Sequence, residues 1–213
     1  MSCYREMPTN CSAYTIPEWL PEKLLQSSRT VTFEVGEVVF LSGARPISMD
    51  FVLSGEIHML RYTSSGNQIL LHRSCGGFIA EASIDIVTYP CDAVAVSNST
   101  LVRFELKQFK EVLESNAEFR GAWNHMLAHE IRRLRTQCER LALRTARARI
   151  AHYIECEGRH GVLELPGALK SWAHELGLSH EALYRELSRL KAQEVLRMEG
   201  RQLHWLGAKT QKS

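Results

Sequence analysis

Between Ser179 and Lys191 the chain sets polar, ionic and aromatic side chains at helical spacing. His180, Glu181, Tyr184, Arg185, Ser188 and Arg189 fall on the faces left open by an apolar stripe of Leu183, Leu187 and Leu190. A helix built this way packs through its leucines and presents carboxylate and guanidinium groups to a groove. Ser179 is suited to cap it, its hydroxyl accepting from a first-turn amide, and Glu181 lies in the positive first turn, so the helix is expected to begin at about His180.

The elements around this helix must hold it. Within Ala168–Lys191, Leu169, Trp172, Ala173 and Leu176 also recur at helical intervals, and Gly177 follows where the chain has to turn through positive φ. Beyond the second helix, Val195–Trp205 alternates apolar residues on either side of Glu199-Gly200, the pattern of a small hairpin. Two short helices hinged at a glycine and followed by a hairpin read as a winged helix-turn-helix, a DNA-binding unit. A plain helical hairpin within a bundle is the competing reading.

Charge is divided along the chain in a way that supports the first reading. Arg132 to Ser213 carries 16 Lys and Arg against 9 Asp and Glu, a net of +7, whereas Met1 to Ile131 carries 10 against 15, a net of −5. Clustered cations neutralise phosphates and supply most non-specific DNA affinity, so DNA is expected at the C-terminal end only.

With 213 residues, 45% hydrophobic and 23% charged, the chain can bury a substantial core and is expected to form two domains. No stretch approaches a membrane span and no basic-then-apolar leader opens it, which predicts a cytosolic protein without a membrane partner. Cysteines 3, 11, 75, 91, 138 and 156 are scattered, with no two-residue spacing of a zinc or redox motif, and are expected to be thiols.

From Arg29 to Leu106 short apolar segments alternate with turns at Gly36, Gly43, Gly55, Gly66 and Gly76-Gly77, which predicts a small antiparallel barrel or roll. A short helix, Pro17 to Gln26, is expected on its edge. A proline-free helical run then extends from about Lys107 to Leu143. Leu127, Ile131, Leu134, Cys138 and Leu141 are spaced four, three, four and three along it, a heptad seam that predicts a homodimer, with packing on the roll within one chain as the competing reading, and Asn124 continues the register backward. The expected domains are thus 1–106 (tail, short helix and roll), 107–144 (dimerisation helix) and 145–213 (winged helix-turn-helix), an α+β fold overall.

This order of parts resembles the superfamily of the cAMP receptor protein and the fumarate-nitrate reduction regulator (CRP/FNR). The likeness is carried by Phe51-Val-Leu-Ser-Gly-Glu-Ile57, Gly77-Phe-Ile-Ala-Glu-Ala-Ser83, Arg149-Ile-Ala151 and Ser179-His-Glu-Ala-Leu-Tyr-Arg185. It implies a cyclic-nucleotide-binding-like roll and a homodimeric transcription regulator of palindromic double-stranded DNA, with RNA polymerase as a further partner if it activates. By position, Glu181 and Arg185 match the family's base-reading pair, the carboxylate accepting from cytosine N4 and the guanidinium donating to guanine O6 and N7, which implies TGA in each half-site. His180 joins them in place of an arginine. Ser179, Tyr184, Arg189 and Lys191 are assigned to the DNA backbone, and Glu186 falls at a position often apolar in the family.

The effector site departs from the family. Nucleotide-binding members clasp the cyclic phosphate with Gly-Glu and, further on, Arg followed by Ser or Thr; here Ala80-Glu81 and Cys91-Asp92 occupy those places. A thiol cannot replace the bidentate guanidinium and Asp92 repels a phosphodiester, so cAMP binding is not expected and the effector is unknown. Cys75 and Cys91 bracket the cassette and could approach one another, while Cys138 faces its symmetry mate, so thiol oxidation is one candidate signal. Metal or haem is another: His152 and Cys156 lie four apart, as do His125 and His129, and His72 stands near Cys75. The tail, with two widely separated cysteines, lacks an iron-sulfur signature. The sequence contains no catalytic triad, Walker loop or dinucleotide fingerprint, and isolated His58 and His72 do not make a cupin metal site, so no enzyme is expected.

Overall fold

The computed structural model describes residues 14–165 and 169–207. Ala168, Cys3 and Cys11 lie outside that range. The chain divides into two units, Met1–His125 and Met126–Ser213.

In the first unit, helix α1 (Glu22–Ser27) precedes eight strands: β1 (Arg29–Phe33), β2 (Val38–Phe40), β3 (Ser48–Ser54), β4 (Ile57–Tyr62), β5 (Gln68–Ser74), β6 (Gly77–Ile79), β7 (Asp92–Ala95) and β8 (Ser99–Glu105). They pair antiparallel in two four-stranded sheets, ordered β1-β8-β3-β6 and β2-β7-β4-β5. Inward-facing Val52, Ile57, Ile79, Ala93, Ala95 and Leu101 form their shared apolar core. The tight turn from β3 to β4 needs Gly55: φ is +88°, and a Cβ there would lie 2.5 Å from the Asn98 carbonyl oxygen. The expected roll is therefore present. Helix α1 is shorter than the expected Pro17–Gln26, because Pro21 disfavours helical backbone at Leu20 and instead becomes the N-cap.

Helix α2 (Leu106–Ser115) and helix α3 (Ala117–Ala142) replace the single run expected from Lys107 to Leu143. The break is at Asn116, which has extended backbone and whose side-chain oxygen accepts from the Phe119 amide at 3.0 Å. Asparagine competes with helical backbone in this way, so the absence of proline does not guarantee continuity. Phe78 of β6 packs against Phe51, Phe109 of α2 and Trp123 of α3, with ring centroids 5.0 to 5.8 Å apart.

The second unit contains the remainder of α3, α4 (Ala146–Glu157), β9 (Val162–Glu164), α5 (Leu169–Glu175), α6 (His180–Ala192), β10 (Leu196–Glu199) and β11 (Gln202–Trp205). Thr145 caps α4, its hydroxyl accepting from Ala148 N at 3.1 Å. Ile150, Tyr153, Ile154, Trp172, Leu176 and the three leucines of α6 share one core with Leu196 and Leu203 of the hairpin. The sheet order is β10-β11-β9, so the expected hairpin gains a third strand that three residues of sequence were too short to announce.

Candidate nucleic-acid interface

The turn between α5 and α6 is closely specified. Gly177 has φ +62°, and a Cβ on it would lie 2.6 Å from Leu141 Cδ2 and 3.0 Å from Arg149 Nη1. Ser179 then caps α6, its hydroxyl accepting from Ala182 N at 3.1 Å. Leu183, Leu187 and Leu190 are buried, which fixes the rotation of the helix and leaves His180, Glu181, Tyr184, Arg185, Ser188, Arg189 and Lys191 exposed.

That face is chemically ordered. The Glu181 carboxyl is held below the usual carboxylate range by its own backbone amide, then by the Ser179 hydroxyl and His180, and so remains an acceptor. Arg185 follows one turn later with its donors in solvent. The ring of Tyr184 meets His180 edge-on at 4.5 Å between centroids, so these two form one aromatic shoulder beside the pair. Arg189 stands 3.6 Å from Glu186. Glu186 itself is largely buried, and one of its carboxylate oxygens has no hydrogen-bond partner among the described residues. Leu187 beside it takes the place in the apolar core.

The wing turns at Gly200, φ +57°, which is exposed at its tip. Arg201 beside it donates to the Leu165 carbonyl at 2.9 Å, tying the wing to β9.

On the second-unit part of α3, Ile131, Leu134 and Leu141 are 49, 45 and 41% exposed, and Cys138 is exposed beside them. Leu127 is half-buried. The heptad seam is an open apolar stripe in the single chain.

The cassette of the first unit departs from a phosphate clasp in several ways. Ala80 adopts φ +60°, an uncommon conformation for a residue with a Cβ, and opens a short turn of helix at Glu81–Ser83. Asp92 accepts from Ser42 N at 2.6 Å, so its carboxylate already holds a loop in place. Cys91 is buried and free, and burial pushes its thiol above the ordinary range. Arg61 is held beside it, donating to the Pro90 carbonyl at 3.2 Å. Nothing in the spacing points to Arg61, since it comes from another strand.

Two expectations about cysteine are corrected. Cys75 is disulfide-bonded, not a thiol, and Cys91 is not its partner. Pairing depends on distances set by the fold, which intervals along the chain do not encode. On α4 the Cys156 sulfur is 3.7 Å from His152 Nδ1, and Glu139 lies 3.8 Å from the same ring, but no group of three or more ligands able to hold a metal occurs among the described residues. Among them, too, no helix is long and apolar enough to cross a membrane.

Residues 30–116 match the model of the cyclic nucleotide-binding domain. No curated protein matches the chain. Among solved structures, FixK2 from Bradyrhizobium japonicum is 18% identical, with 84% of this chain and 92% of that one covered at a TM-score of 0.62. The c-di-GMP responsive global regulator CLP from Xanthomonas campestris is 18% identical, covering 88% and 98% at 0.58. A CRP-family transcriptional regulator from Thermus thermophilus is 17% identical, covering 83% and 91% at 0.54. At these identities the likeness is one of fold.

Proposed function

We propose that this chain, whose residues 30–116 match the model of the cyclic nucleotide-binding domain and whose fold is shared with FixK2 and the global regulator CLP, is a CRP/FNR-type transcription regulator, a homodimer that binds palindromic DNA through α6 and senses a signal other than cAMP. The observation that carries this reading is the face of α6: Glu181 and Arg185 stand exposed one turn apart on a helix whose rotation is fixed by three buried leucines and a capped start. Glu181 accepts from cytosine N4 and Arg185 donates to guanine O6 and N7, with His180 reading beside them and Ser179, Tyr184, Arg189 and Lys191 on the backbone.

The open stripe of Ile131, Leu134 and Leu141 supports pairing of two chains along α3, and two-fold symmetry would match a palindrome. A phosphodiester is disfavoured in the roll because Cys91 stands in the place of an arginine, the Asp92 carboxylate repels it at close range, and the Arg61 guanidinium nearby already donates to the Pro90 carbonyl. The exposed thiol of Cys138 in the seam makes oxidation the favoured input.

Fluorescence anisotropy with a palindromic TGA-containing duplex and a scrambled control tests the reading. Preference for the palindrome of at least about 10³-fold, with affinity falling steeply as salt rises, is expected. Equal affinity for both duplexes overturns it.

A further inference from the structure

Tyr14 is held at one particular turn of the roll. Its amide donates to the Leu53 carbonyl of β3 at 2.6 Å. Its ring fills the space beside Gly76, where a Cβ would run into Cδ2, Cε2 and Cγ of the tyrosine. Cys75 and Gly76 form the turn from β5 to β6, the passage from one sheet to the other, and this turn leads straight into the cassette at Gly77–Ser83. Ser74 braces it from within, its hydroxyl donating to the Gly76 carbonyl at 3.1 Å.

Cys75 is half-buried at this turn and disulfide-bonded. Of the six cysteines, Cys91, Cys138 and Cys156 are free. Within one chain the partner is therefore Cys3 or Cys11, both outside the described residues, and the choice between them rests on chain length. Cys11 precedes Tyr14 by three residues, so the chain carries it no further than about 11 Å from a residue already packed against Gly76. Cys3 precedes Tyr14 by eleven residues, and the entropy lost on closure rises with the length of the loop. Tyr14 thus delivers Cys11 to Cys75 at the higher effective concentration.

We infer that Cys11 and Cys75 are a reversible dithiol–disulfide pair: a redox site at the turn opening the cassette, distinct from the Cys138 thiol of α3, that fastens the segment before Tyr14 to the roll when oxidised. Formation balances with a small disulfide such as oxidised glutathione. One protein thiolate attacks a sulfur of the reagent and expels a glutathione thiolate; the other attacks the protein sulfur of the mixed disulfide and expels the second. Two electrons pass from the cysteines to the reagent, and their two protons leave on two molecules of glutathione. Excess reduced glutathione or a dithiol runs the exchange backward.

Peptide mapping of the full chain tests the pairing. The protein is equilibrated in glutathione buffers of increasing oxidation, free thiols are blocked with an alkylating reagent, and trypsin separates the candidates. Arg5 divides Cys3 from Cys11, and the fragments 6–23 and 74–103 each hold one member of the pair. Oxidised protein should keep the mass of one chain, with 6–23 linked to 74–103. The link should persist in Cys3→Ser and in Cys91→Ser, which removes the second cysteine of fragment 74–103, and vanish in Cys11→Ser and in Cys75→Ser. A link from 1–5 to 74–103, a link between two chains through Cys75, or full alkylation of Cys75 in the most oxidising buffer overturns the inference.

A second measurement asks whether Tyr14 directs the pairing. Tyr14→Ala removes the anchoring ring, and Gly76→Ala fills its seat at a position where φ is not positive. In both variants the ratio of oxidised to reduced glutathione at half-oxidation should rise about tenfold. An unchanged midpoint in both means that Cys75 finds its partner without the docked tyrosine, which contradicts the account of the pair. These readouts are independent of DNA binding.

Discussion

Arg103 grips Asp50 with two parallel hydrogen bonds of 2.8 Å, Nε to one carboxylate oxygen and Nη2 to the other, across directly paired positions of β8 and β3. Asp50 is 2% exposed, and Arg103 lies with its guanidinium 5.7 Å from the centre of the Phe33 ring on β1. The ion pair therefore staples three adjacent strands in one sheet. Asp50→Ala leaves a largely desolvated guanidinium without its partner and should destabilise the protein by about 3 kcal/mol, whereas Asp50→Leu combined with Arg103→Met should recover much of the loss. Urea unfolding of the two variants and the wild type checks this. Equal destabilisation by the single and double changes contradicts it.

That pair also marks the boundary of what sequence could reveal. Leu183, Leu187 and Leu190 announced the buried face of α6 because a local period reports its own packing, and Gly177 and Ser179 announced its start because their roles are set within a few residues. The ladder of the roll was legible through alternation and glycine turns. Asp50 and Arg103 are 53 residues apart and meet only through strand register, as do Arg61 and the Cys91 segment. The break at Asn116 was local and still escaped, because helical periodicity on both sides outweighed a single capping side chain.

Glu56 accepts from both Arg73 and His58, and although burial raises its carboxyl pKa, the hydrogen bonds and charges of these two partners together outweigh burial and leave it below the ordinary value of 4.5. A carboxyl whose folded pKa is depressed contributes stability that is fully present above its unfolded value and is lost as pH falls through the folded one. Thermal stability should therefore fall on acidification below about pH 4.5, and Glu56→Gln should flatten that part of the profile. An identical acid limb in the variant would show that Glu56 does not contribute to it.

Cys138 is exposed in the seam while Cys91 is buried with a raised thiol pKa. Mild oxidation should produce a disulfide-linked species of twice the chain mass, lost in Cys138→Ser and retained in Cys91→Ser. Non-reducing electrophoresis with mass spectrometry reads this directly. A cross-link surviving in Cys138→Ser would place the close thiols elsewhere and remove the evidence for pairing along α3.

Leu134 is 45% exposed on the single chain, yet lies at the middle of the heptad stripe. A charge there should keep two stripes apart, so Leu134→Glu should sediment as a monomer where the wild type sediments as a dimer, with little change in the unfolding of either unit. A monomeric wild type, or a dimeric variant, contradicts the assignment.

The most direct test of the account is base discrimination by Arg185. Anisotropy titrations of wild type and Arg185→Ala, each with the TGA palindrome and with a palindrome in which the guanine is replaced by adenine, isolate the contact. The wild type should favour guanine by about 1–3 kcal/mol per half-site, and the variant should bind both duplexes alike. A variant that keeps the full preference would contradict the reading of α6 as the element that reads sequence through its Glu181 and Arg185 face.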